Sequence, residues 1–423
     1  MGDVFLGIPE VVPPTPKLSG LSLQVTDACN LACSYCYFYK KDPVTMSRDV
    51  VDRALDLLDT ESDINSDSWI INLFGGEPTL RRDLVEYICE TTTARGHAAG
   101  KKATFSLTTN GTRFDEKFLA LARAYGISTM LSLDGNQKAH DRFRTFQDGR
   151  GSFDLIMKNL PRLLEAPNFK VRLTVSPGTV EFLAESIEEL IDRGITKIAS
   201  SVVVEETWTE AHLTKFAEQW QRVGAIYIHH RLRGARLGIK GVDVADTAEP
   251  AEICRPPRNY GCGAATTFVF VNAFGDIYPC HRYPGYFEKS PHVRLGSVHS
   301  GLDPARRHRY VTANLAASKK GCRSFVNTEK ASGPCGDCAI QGACGGSCMA
   351  INEFVTGDPT QPPSVPGAIE QIKLSVMTQV HDYLAERAHL AAAGARVGHS
   401  QVKDEPSAGG EHYVNRWTRS GGS

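Results

Sequence analysis

Three cysteines lie close together near the start of the chain, at Cys29, Cys33 and Cys36, in the segment TDACNLACSYCYFY. Three thiolates on one short loop can bind three irons of a 4Fe-4S cluster, whereas a zinc site normally takes a fourth protein ligand that this segment does not supply. A cluster with only three protein ligands keeps one iron open, so that it can bind and reduce a small molecule. The alternative is a zinc loop whose fourth ligand comes from a distant part of the chain.

The chain has twelve cysteines, which is an unusually high number, and most of the others form two later groups. In a reducing compartment, metal ligation is a better explanation of such groups than six disulfides. One isolated cysteine, Cys89, lies among apolar residues at helical spacing and is predicted to be a core thiol. The later groups are Cys254, Cys262 and Cys280, and then Cys322, Cys335, Cys338, Cys344 and Cys348.

The composition excludes several classes of partner. The 423 residues carry 47 Lys and Arg against 48 Asp and Glu, so no overall positive charge attracts nucleic acid or anionic lipid. No apolar run reaches the roughly 20 residues that span a bilayer, and the first residues lack the features of a signal peptide. We therefore expect a cytoplasmic protein that binds neither nucleic acid nor membrane.

The first half of the chain alternates short apolar or β-branched runs with amphipathic stretches, which predicts parallel strands joined by helices. The first helix is predicted from an N-cap at Ser47 to about Asp59, and the last from about Thr209 to His230. Six strand-helix pairs are fewer than the eight that close a full barrel, so we expect an open (β/α)6 barrel with its site at the carboxyl ends of the strands. The predicted strands are 21–25, 69–74, 103–108, 128–133, 170–175 and 197–204.

Beyond about residue 240 the sequence is rich in Gly, Pro and Cys, and a hairpin is predicted from Thr266 to Cys280. This region is expected to be a second module organised by metal. An amphipathic helix is predicted to close the fold, with Ile369, Val376 and Val380 among its buried residues. The predicted divisions are an N-terminal extension (1–20), the barrel (21–235), the cysteine-rich domain (236–350), the closing helix (351–392) and a disordered tail (393–423).

Polar segments follow three successive predicted strands. FGGEP begins at Phe74, TTNG at Thr108 and SLDG at Ser132, so their polar groups are expected on one rim of the barrel. Together with the Cys-x3-Cys-x2-Cys loop, these segments resemble the radical SAM superfamily. In that family the cysteine loop lies at the top of a partial barrel, and the open iron binds S-adenosylmethionine.

The resemblance implies roles for individual residues. The Gly-Gly-Glu segment would bind the methionine amino group, because its glycines allow close approach and its glutamate accepts hydrogen bonds. Asn110 and Ser132 would contact the ribose or the methionine carboxylate. Arg144 is a candidate carboxylate partner or a surface charge, and Tyr35 packs near the adenine or serves ordinary packing. The cofactor-binding candidates are Tyr35, Gly75, Gly76, Glu77, Asn110, Ser132 and Arg144.

The later cysteine series resembles the SPASM extension of the same superfamily, which holds two auxiliary 4Fe-4S clusters. Three clusters are therefore expected in all. The usual pattern ends with a further cysteine, whereas none follows Cys348 here. Our hypothesis is that Cys322 replaces it, and the alternative is an open iron in the second auxiliary cluster. The implied ligands are Cys254, Cys262, Cys280 and Cys348 for the first auxiliary cluster, and Cys322, Cys335, Cys338 and Cys344 for the second.

The resemblance implies an enzyme that cleaves S-adenosylmethionine to a 5'-deoxyadenosyl radical and oxidises a ribosomally synthesised precursor peptide. Sulfatase-maturing relatives have an aspartate base where this chain has His281, so an intramolecular thioether or carbon-carbon crosslink is the preferred product, with a sulfatase-maturase-like oxidation as the alternative. His281 could act as a general base, or it could form a hydrogen bond with a cluster sulfur or with the backbone.

Several partners follow from the resemblance. They are the precursor peptide and an electron donor such as flavodoxin or ferredoxin. Because the stretch before Leu21 is too short to be a leader-binding domain, a leader peptide would be recognised by the barrel surface, by a separate leader-binding protein or by the C-terminal tail. A non-catalytic zinc or iron-sulfur module is the alternative from a different class, because thiolate spacing alone permits it. The polar segments at the strand ends count against that alternative.

Overall fold

The computed structural model describes residues 16–38, 43–243, 262–288, 290–318 and 347–394. Five predicted ligands lie outside these ranges: Cys254, Cys322, Cys335, Cys338 and Cys344. Most of the predicted N-terminal extension and nearly all of the predicted tail also lie outside the described residues.

Six parallel strands form the centre of the molecule. They are β1 (Gly20–Thr26), β2 (Ser68–Gly75), β3 (Lys102–Thr109), β4 (Ser128–Ser132), β5 (Lys170–Val175) and β6 (Lys197–Val202), and they pair in chain order. The helices between and after them are α1 (Arg48–Glu61), α2 (Arg82–Ala98), α3 (Glu116–Ala124), α4 (Gln137–Asp141), α5 (Phe153–Leu164), α6 (Leu183–Asp192) and α7 (Glu210–Leu232). This arrangement confirms the predicted α/β fold class and its six parallel strands.

The helix caps agree with the sequence. The Ser47 side chain accepts a hydrogen bond from the backbone N–H of Val50, and Thr209 caps α7 with a capping box completed by His212. Such caps satisfy backbone donors that have no partner inside the helix. They place the starts of α1 and α7 where the sequence predicted them.

The sheet continues on both sides of the six strands. The short strand β7 (Gly238–Ile239) pairs with β6, and β8 (Phe268–Val271) pairs in parallel with β1. The predicted hairpin is confirmed, because β8 is antiparallel to β9 (Asp276–Tyr278), and two short strands follow, β10 (Gly296–Ser297) and β11 (Gly301–Leu302). The cysteine-rich region therefore begins as a direct extension of the barrel sheet.

The described residues after β7 include four α-helices: α8 (Arg282–Tyr286), α9 (Pro304–Ser318), α10 (Met349–Thr356) and α11 (Ser364–Gly394). The predicted closing helix is thus preceded by a separate short one. Helix α11 packs on α7, where a Cβ at Gly224 would lie 2.8 Å from Val376 Cγ1. Among the described helices, none has both the length and the apolar character needed to cross a bilayer.

Strand β5 shows how the sheet positions polar groups. Val171, Leu173 and Val175 are buried on the face that packs against helices, whereas Arg172 and Thr174 alternate with them and are less buried. Because successive side chains of a strand point to opposite faces, both polar residues face the interior of the barrel.

Candidate active site

One open cavity lies at the carboxyl ends of the barrel strands. The space between its walls, counted out into open solvent, is about 980 Å³. All the residues predicted for the first cluster and for S-adenosylmethionine line it, although their contacts with either group remain predictions. These are Cys29, Cys33, Tyr35, Cys36, Gly75, Gly76, Glu77, Asn110, Ser132 and Arg144.

The cysteine loop after β1 is attached to a neighbouring segment through its backbone. The N–H groups of Ala32 and Ser34 donate to the carbonyls of Thr145 and Phe143, over 2.8 and 3.2 Å. The N–H of Cys36 donates to the carbonyl of Cys33 within the loop. These bonds hold the three thiols on one wall of the cavity.

Two glycines after β2 allow the start of this loop to approach closely. A Cβ at Gly76 would lie 2.3 Å from the carbonyl oxygen of Ala28, and one at Gly75 would lie 2.3 Å from that of Thr26. Gly75 also has a φ of +136°, which disfavours a side chain. The Gly-Gly pair is therefore required for packing against the loop, in addition to any contact with a ligand.

Glu77 joins the ends of β2 and β3. Its carboxylate accepts hydrogen bonds from Thr79 N and Oγ1, from Thr109 Oγ1 and from the backbone N–H of Asn110, the last over 2.6 Å. The side chain is fully buried, and burial raises the pKa of its carboxyl above the ordinary value although the hydrogen bonds act to lower it. Because its carboxylate accepts four hydrogen bonds from the protein, Glu77 links the ends of β2 and β3. This structural role is additional to its predicted contact with the methionine amino group.

Asn110 lies directly beside the cysteine loop. Its amide nitrogen is 3.8 Å from Cys29 Sγ and 3.0 Å from Asn30 Oδ1, while its amide oxygen accepts from Thr112. Within the described residues, these contacts make Asn110 a donor to a predicted cluster ligand.

Arg144 has a carboxylate partner inside the protein. Its Nε and Nη2 donate to the two carboxylate oxygens of Asp134, over 2.8 and 3.2 Å, and Tyr35 Oη donates to the same carboxylate. Asp134 also accepts from the backbone N–H of Thr174. Arg144 Nη2 also donates to Thr174 Oγ1 over 3.3 Å, and a contact of Arg144 with a ligand carboxylate remains a prediction.

The pKa values in this network follow from burial and charge. Burial raises the pKa of Tyr35 well above its ordinary value, so the phenol stays protonated and donates. Burial acts to lower the pKa of Arg144, but the charges of Asp134, Tyr35 and Cys33 and the hydrogen bond to Asp134 together outweigh it and raise the pKa. The sequence contained Asp134 within SLDG, yet no spacing rule connected it with Arg144 or Tyr35.

His281, the predicted base, lies behind the cavity wall. Its imidazole packs on Phe74 with ring centroids 4.4 Å apart and does not line the cavity, whereas the next residue, Arg282, does. Burial lowers the pKa of His281 to about 3, and the charges of Arg282 and Arg172 add to the effect. The imidazole is therefore neutral at ordinary pH, and its role in the reaction remains a prediction.

Three cysteines of the later series come near one another. Burial raises the pKa of the Cys280 thiol, and nearby Cys348 and Cys262 raise it further. Protein atoms packed around the thiol and the nearby Cys348 likewise raise the pKa of Cys262, although the residue as a whole is exposed. Cys89 is buried in the core, in agreement with its predicted role. Thiols are the soft donors that iron-sulfur clusters take, and this holds for the three thiols on the wall of the main cavity as well. Within the described ranges, however, no three ligating side chains are close enough together to hold a metal ion as they stand.

The chain is similar in sequence to proteins of known activity. Residues 23–218 match the model of the radical SAM superfamily. The mycofactocin maturase MftC of Mycolicibacterium smegmatis is 26% identical over 368 residues, covering 81% of each chain. The AdoMet-dependent heme synthase of Nitratidesulfovibrio vulgaris is 25% identical over 368 residues, covering 82% of this chain and 90% of that protein.

Solved structures share the fold. The structure of native anSMEcpe with bound AdoMet and Cp18Cys peptide has a TM-score of 0.68 at 18% identity, covering 86% of this chain and 99% of that one. Streptococcus suis SuiB bound to its precursor peptide SuiA has a TM-score of 0.50 at 16% identity, covering 83% and 76%.

A partial barrel of parallel strands with a three-cysteine loop beside its cavity is the arrangement of the radical SAM domain, which binds a 4Fe-4S cluster and S-adenosylmethionine. Residues 23–218 are such a domain, and over most of its length the chain is similar in sequence to a radical SAM maturase.

Proposed function

We propose that this enzyme is a maturase that modifies a ribosomally synthesised precursor peptide by radical chemistry. The observation that carries the proposal is the single cavity in which Cys29, Cys33 and Cys36 meet the polar ends of successive strands. The likeness to mycofactocin maturases supports a peptide substrate. The SuiB structure with SuiA is an example of this fold with a precursor peptide.

The cofactors and the protein have separate tasks. When bound, the cluster and S-adenosylmethionine supply a 5'-deoxyadenosyl radical that removes a hydrogen atom from the substrate. The protein orients the groups: Tyr35, Asp134 and Arg144 hold the cysteine loop against β4 and β5. Glu77 fixes the rim between β2 and β3.

The proposed product is an intramolecular thioether or carbon-carbon crosslink. Closing such a bond removes two hydrogen atoms from the peptide: one goes to the 5'-deoxyadenosyl radical, and the other leaves as a proton and an electron. The auxiliary clusters are the proposed electron acceptor. His281 stands where sulfatase-maturing relatives have an aspartate, which favours crosslinking, and full product formation by His281→Gln would remove His281 from the mechanism.

Two auxiliary clusters are proposed in addition to the first cluster. The charges of Cys348 and Cys262 both act on the Cys280 thiol, which supports the assignment of these three residues, with Cys254, to one auxiliary cluster. Cys322, Cys335, Cys338 and Cys344 are proposed for the other. Iron content and spectra that stay unchanged in Cys322→Ala would contradict its assignment.

One anaerobic preparation tests the proposal. After reconstitution, about twelve irons per chain are expected for three clusters, and about eight for two. S-adenosylmethionine and a strong reductant should then give 5'-deoxyadenosine.

A precursor peptide encoded beside the gene should lose two hydrogen atoms on incubation. Cleavage without any change in such a peptide would contradict the proposed substrate class. Flavodoxin or ferredoxin as reductant, and a separate leader-binding protein, can be tested in the same assay.

A tetrapyrrole is the second candidate substrate. The heme synthase of Nitratidesulfovibrio vulgaris is 25% identical to this chain, and the maturase MftC of Mycolicibacterium smegmatis is 26% identical. A tetrapyrrole that increases 5'-deoxyadenosine formation, with no effect of any peptide, would favour this second candidate.

A further inference from the structure

Two arginines line the cavity in addition to Arg144. Arg172 projects from β5 into the barrel, and its Nε donates to Ser201 Oγ over 3.0 Å. Among the described residues it forms no ion pair. Burial lowers the pKa of Arg172, and the charge of Arg282 lowers it further, which is the effect of a second cation nearby.

Arg282 is held by aromatic rings and one carboxylate. Its guanidinium lies 5.0 Å from the ring centre of Tyr37 and 5.6 Å from that of Tyr286. Glu205 Oε1 lies 3.9 Å away and also accepts a hydrogen bond from Tyr286 Oη. The side chain of Arg282 is 13% exposed. The guanidinium plane is therefore fixed in orientation while remaining open to the cavity.

The charges on this wall do not balance. Arg144 is matched by Asp134. Among the described lining residues the carboxylates are Glu77, which accepts four hydrogen bonds inside the protein, and Glu205, which lies 3.9 Å from Arg282. Glu205 is thus the carboxylate that pairs with Arg282, and none pairs with Arg172 in the part of the chain that the structure describes. A buried charge without a partner is costly, and a guanidinium fork suits a carboxylate in particular. A carboxylate brought by a ligand would supply the missing counter-charge, and the two guanidinium groups would in turn bind that ligand.

The position of the pair favours the peptide as the source of that carboxylate. Arg282 follows the β8–β9 hairpin and lies outside residues 23–218, which match the superfamily model. The S-adenosylmethionine candidates Asn110 and Ser132 end β3 and β4, whereas Arg172 and Glu205 belong to β5 and to the loop after β6. Val202 and Val203 also line the cavity, so an apolar surface adjoins the two cations.

We propose that Arg172 and Arg282 form a carboxylate-binding subsite for the substrate. The subsite would take an Asp or Glu side chain, or the terminal carboxylate, at or beside the residue that is modified. This inference rests on the proposed peptide-maturase function and adds a chemical requirement to it.

A double-mutant cycle tests the subsite. The enzymes are the wild type, Arg172→Gln and, as a matched control on an exposed loop, Arg150→Gln, whose side chain is 79% exposed. The probes are the synthetic precursor peptide and a series in which each carboxylate in turn is replaced by an amide. With wild type, one amide replacement is expected to lower kcat/KM at least tenfold. With Arg172→Gln, the same replacement should cause no further loss, because the partner is already absent.

Arg282→Lys serves as the second variant, since it keeps the charge but not the fork. It is expected to lower kcat/KM for the unmodified peptide and to reduce the discrimination between acid and amide. If every amide peptide loses the same factor with wild type and with both variants, the subsite is wrong. A tenfold weaker S-adenosylmethionine affinity without coupling to the peptide would assign the pair to the methionine carboxylate and also overturn it. If the wild type modifies no peptide, the proposed function fails and the subsite with it, which is a different result from loss of coupling.

Discussion

Arg144 Nε lies 2.8 Å from Asp134 Oδ2, and the two side chains are 10% and 1% exposed. The pair is linked to the cysteine loop because Tyr35, which stands between Cys33 and Cys36, donates to the same carboxylate. The guanidinium also lies 5.3 Å from the ring centre of Tyr35. A single buried carboxylate thus joins the predicted cluster loop to the ends of β4 and β5.

Removing this carboxylate should therefore affect stability and the cluster together. Asp134→Asn leaves Arg144 buried without its counter-charge, and breaking a buried pair from one side typically costs about 3–5 kcal/mol. Urea unfolding of the cluster-free protein measures this loss, and iron content after reconstitution should fall as well.

The control for Asp134→Asn is Glu165→Gln, which breaks the pair of Arg123 and Glu165, with side chains 53% and 58% exposed. Exposed pairs contribute about 0–1 kcal/mol. Equal effects of the two substitutions would show that the Asp134 pair has no special role.

The carboxyl of Glu77 predicts a pH dependence. Burial raises its pKa in the folded protein above the unfolded value, so the folded state holds the proton more tightly. The free energy of unfolding should therefore gain a contribution from Glu77 as pH falls through the folded pKa, and lose it as pH rises. Glu77→Gln does not titrate, so wild type should gain stability relative to this variant between pH 7 and pH 5 in urea unfolding. A constant difference between the two proteins would contradict the prediction.

His140 predicts a dependence of the opposite sign. Burial lowers its pKa from 6.5 to about 3, and its ring nitrogens lie 3.2 Å from the N–H of Asp134 and 2.9 Å from Ser152 Oγ. Between about pH 3 and pH 6.5 the unfolded chain therefore binds a proton at His140 that the folded chain does not bind. Its contribution to stability is thus complete above pH 6.5 and falls by about 1.4 kcal/mol per unit as pH decreases.

Urea unfolding of wild type and His140→Gln at pH 7 and pH 5 measures the effect as a change in the difference between them. The same substitution at the exposed His292 is the matched control. If His140→Gln loses as much stability on acidification as wild type does, His140 does not titrate in this way.

The sequence predicted what local patterns encode. The six barrel strands, the N-cap at Ser47 and the start of α7 near Thr209 were recognisable, because hydrophobic alternation and capping depend on neighbouring residues. The pairing of β8 with β1 was not, since it joins Gly20 to Phe268 across most of the chain. The second module was accordingly expected to be separate, although its hairpin continues the barrel sheet.

In the candidate active site, too, local motifs were predictable from the sequence and contacts between distant segments were not. Motifs found the residues that line the cavity, but they could not find which of them bond to one another. The pairing of Arg144 with Asp134 and the approach of Arg282 to Glu205 arise only when distant strand ends meet. Arg172 had a usable signal, because it alternates with Val171 and Leu173 in a strand whose other face is apolar.

The backbone of Asp27 and Ala28 approaches Gly76 so closely that even a methyl side chain should disturb it. In Gly76→Ala the new Cβ would meet the carbonyl oxygens of Asp27 and Ala28 at 2.4 and 2.3 Å, both in backbone that leads into the cysteine loop. Backbone cannot turn aside as a flexible side chain does, so the loop must shift. We expect a loss of about 1–3 kcal/mol in the free energy of unfolding.

Because the shift moves the backbone that leads to Cys29, iron per chain after anaerobic reconstitution should also decrease. Gly367→Ala is the matched control: no atom lies within 4 Å of the added Cβ, and the residue is in α11, where alanine favours the helix by up to about 1 kcal/mol. Iron content and stability in Gly76→Ala equal to those of Gly367→Ala would mean that the loop tolerates the displacement and that the glycine is not required for its packing.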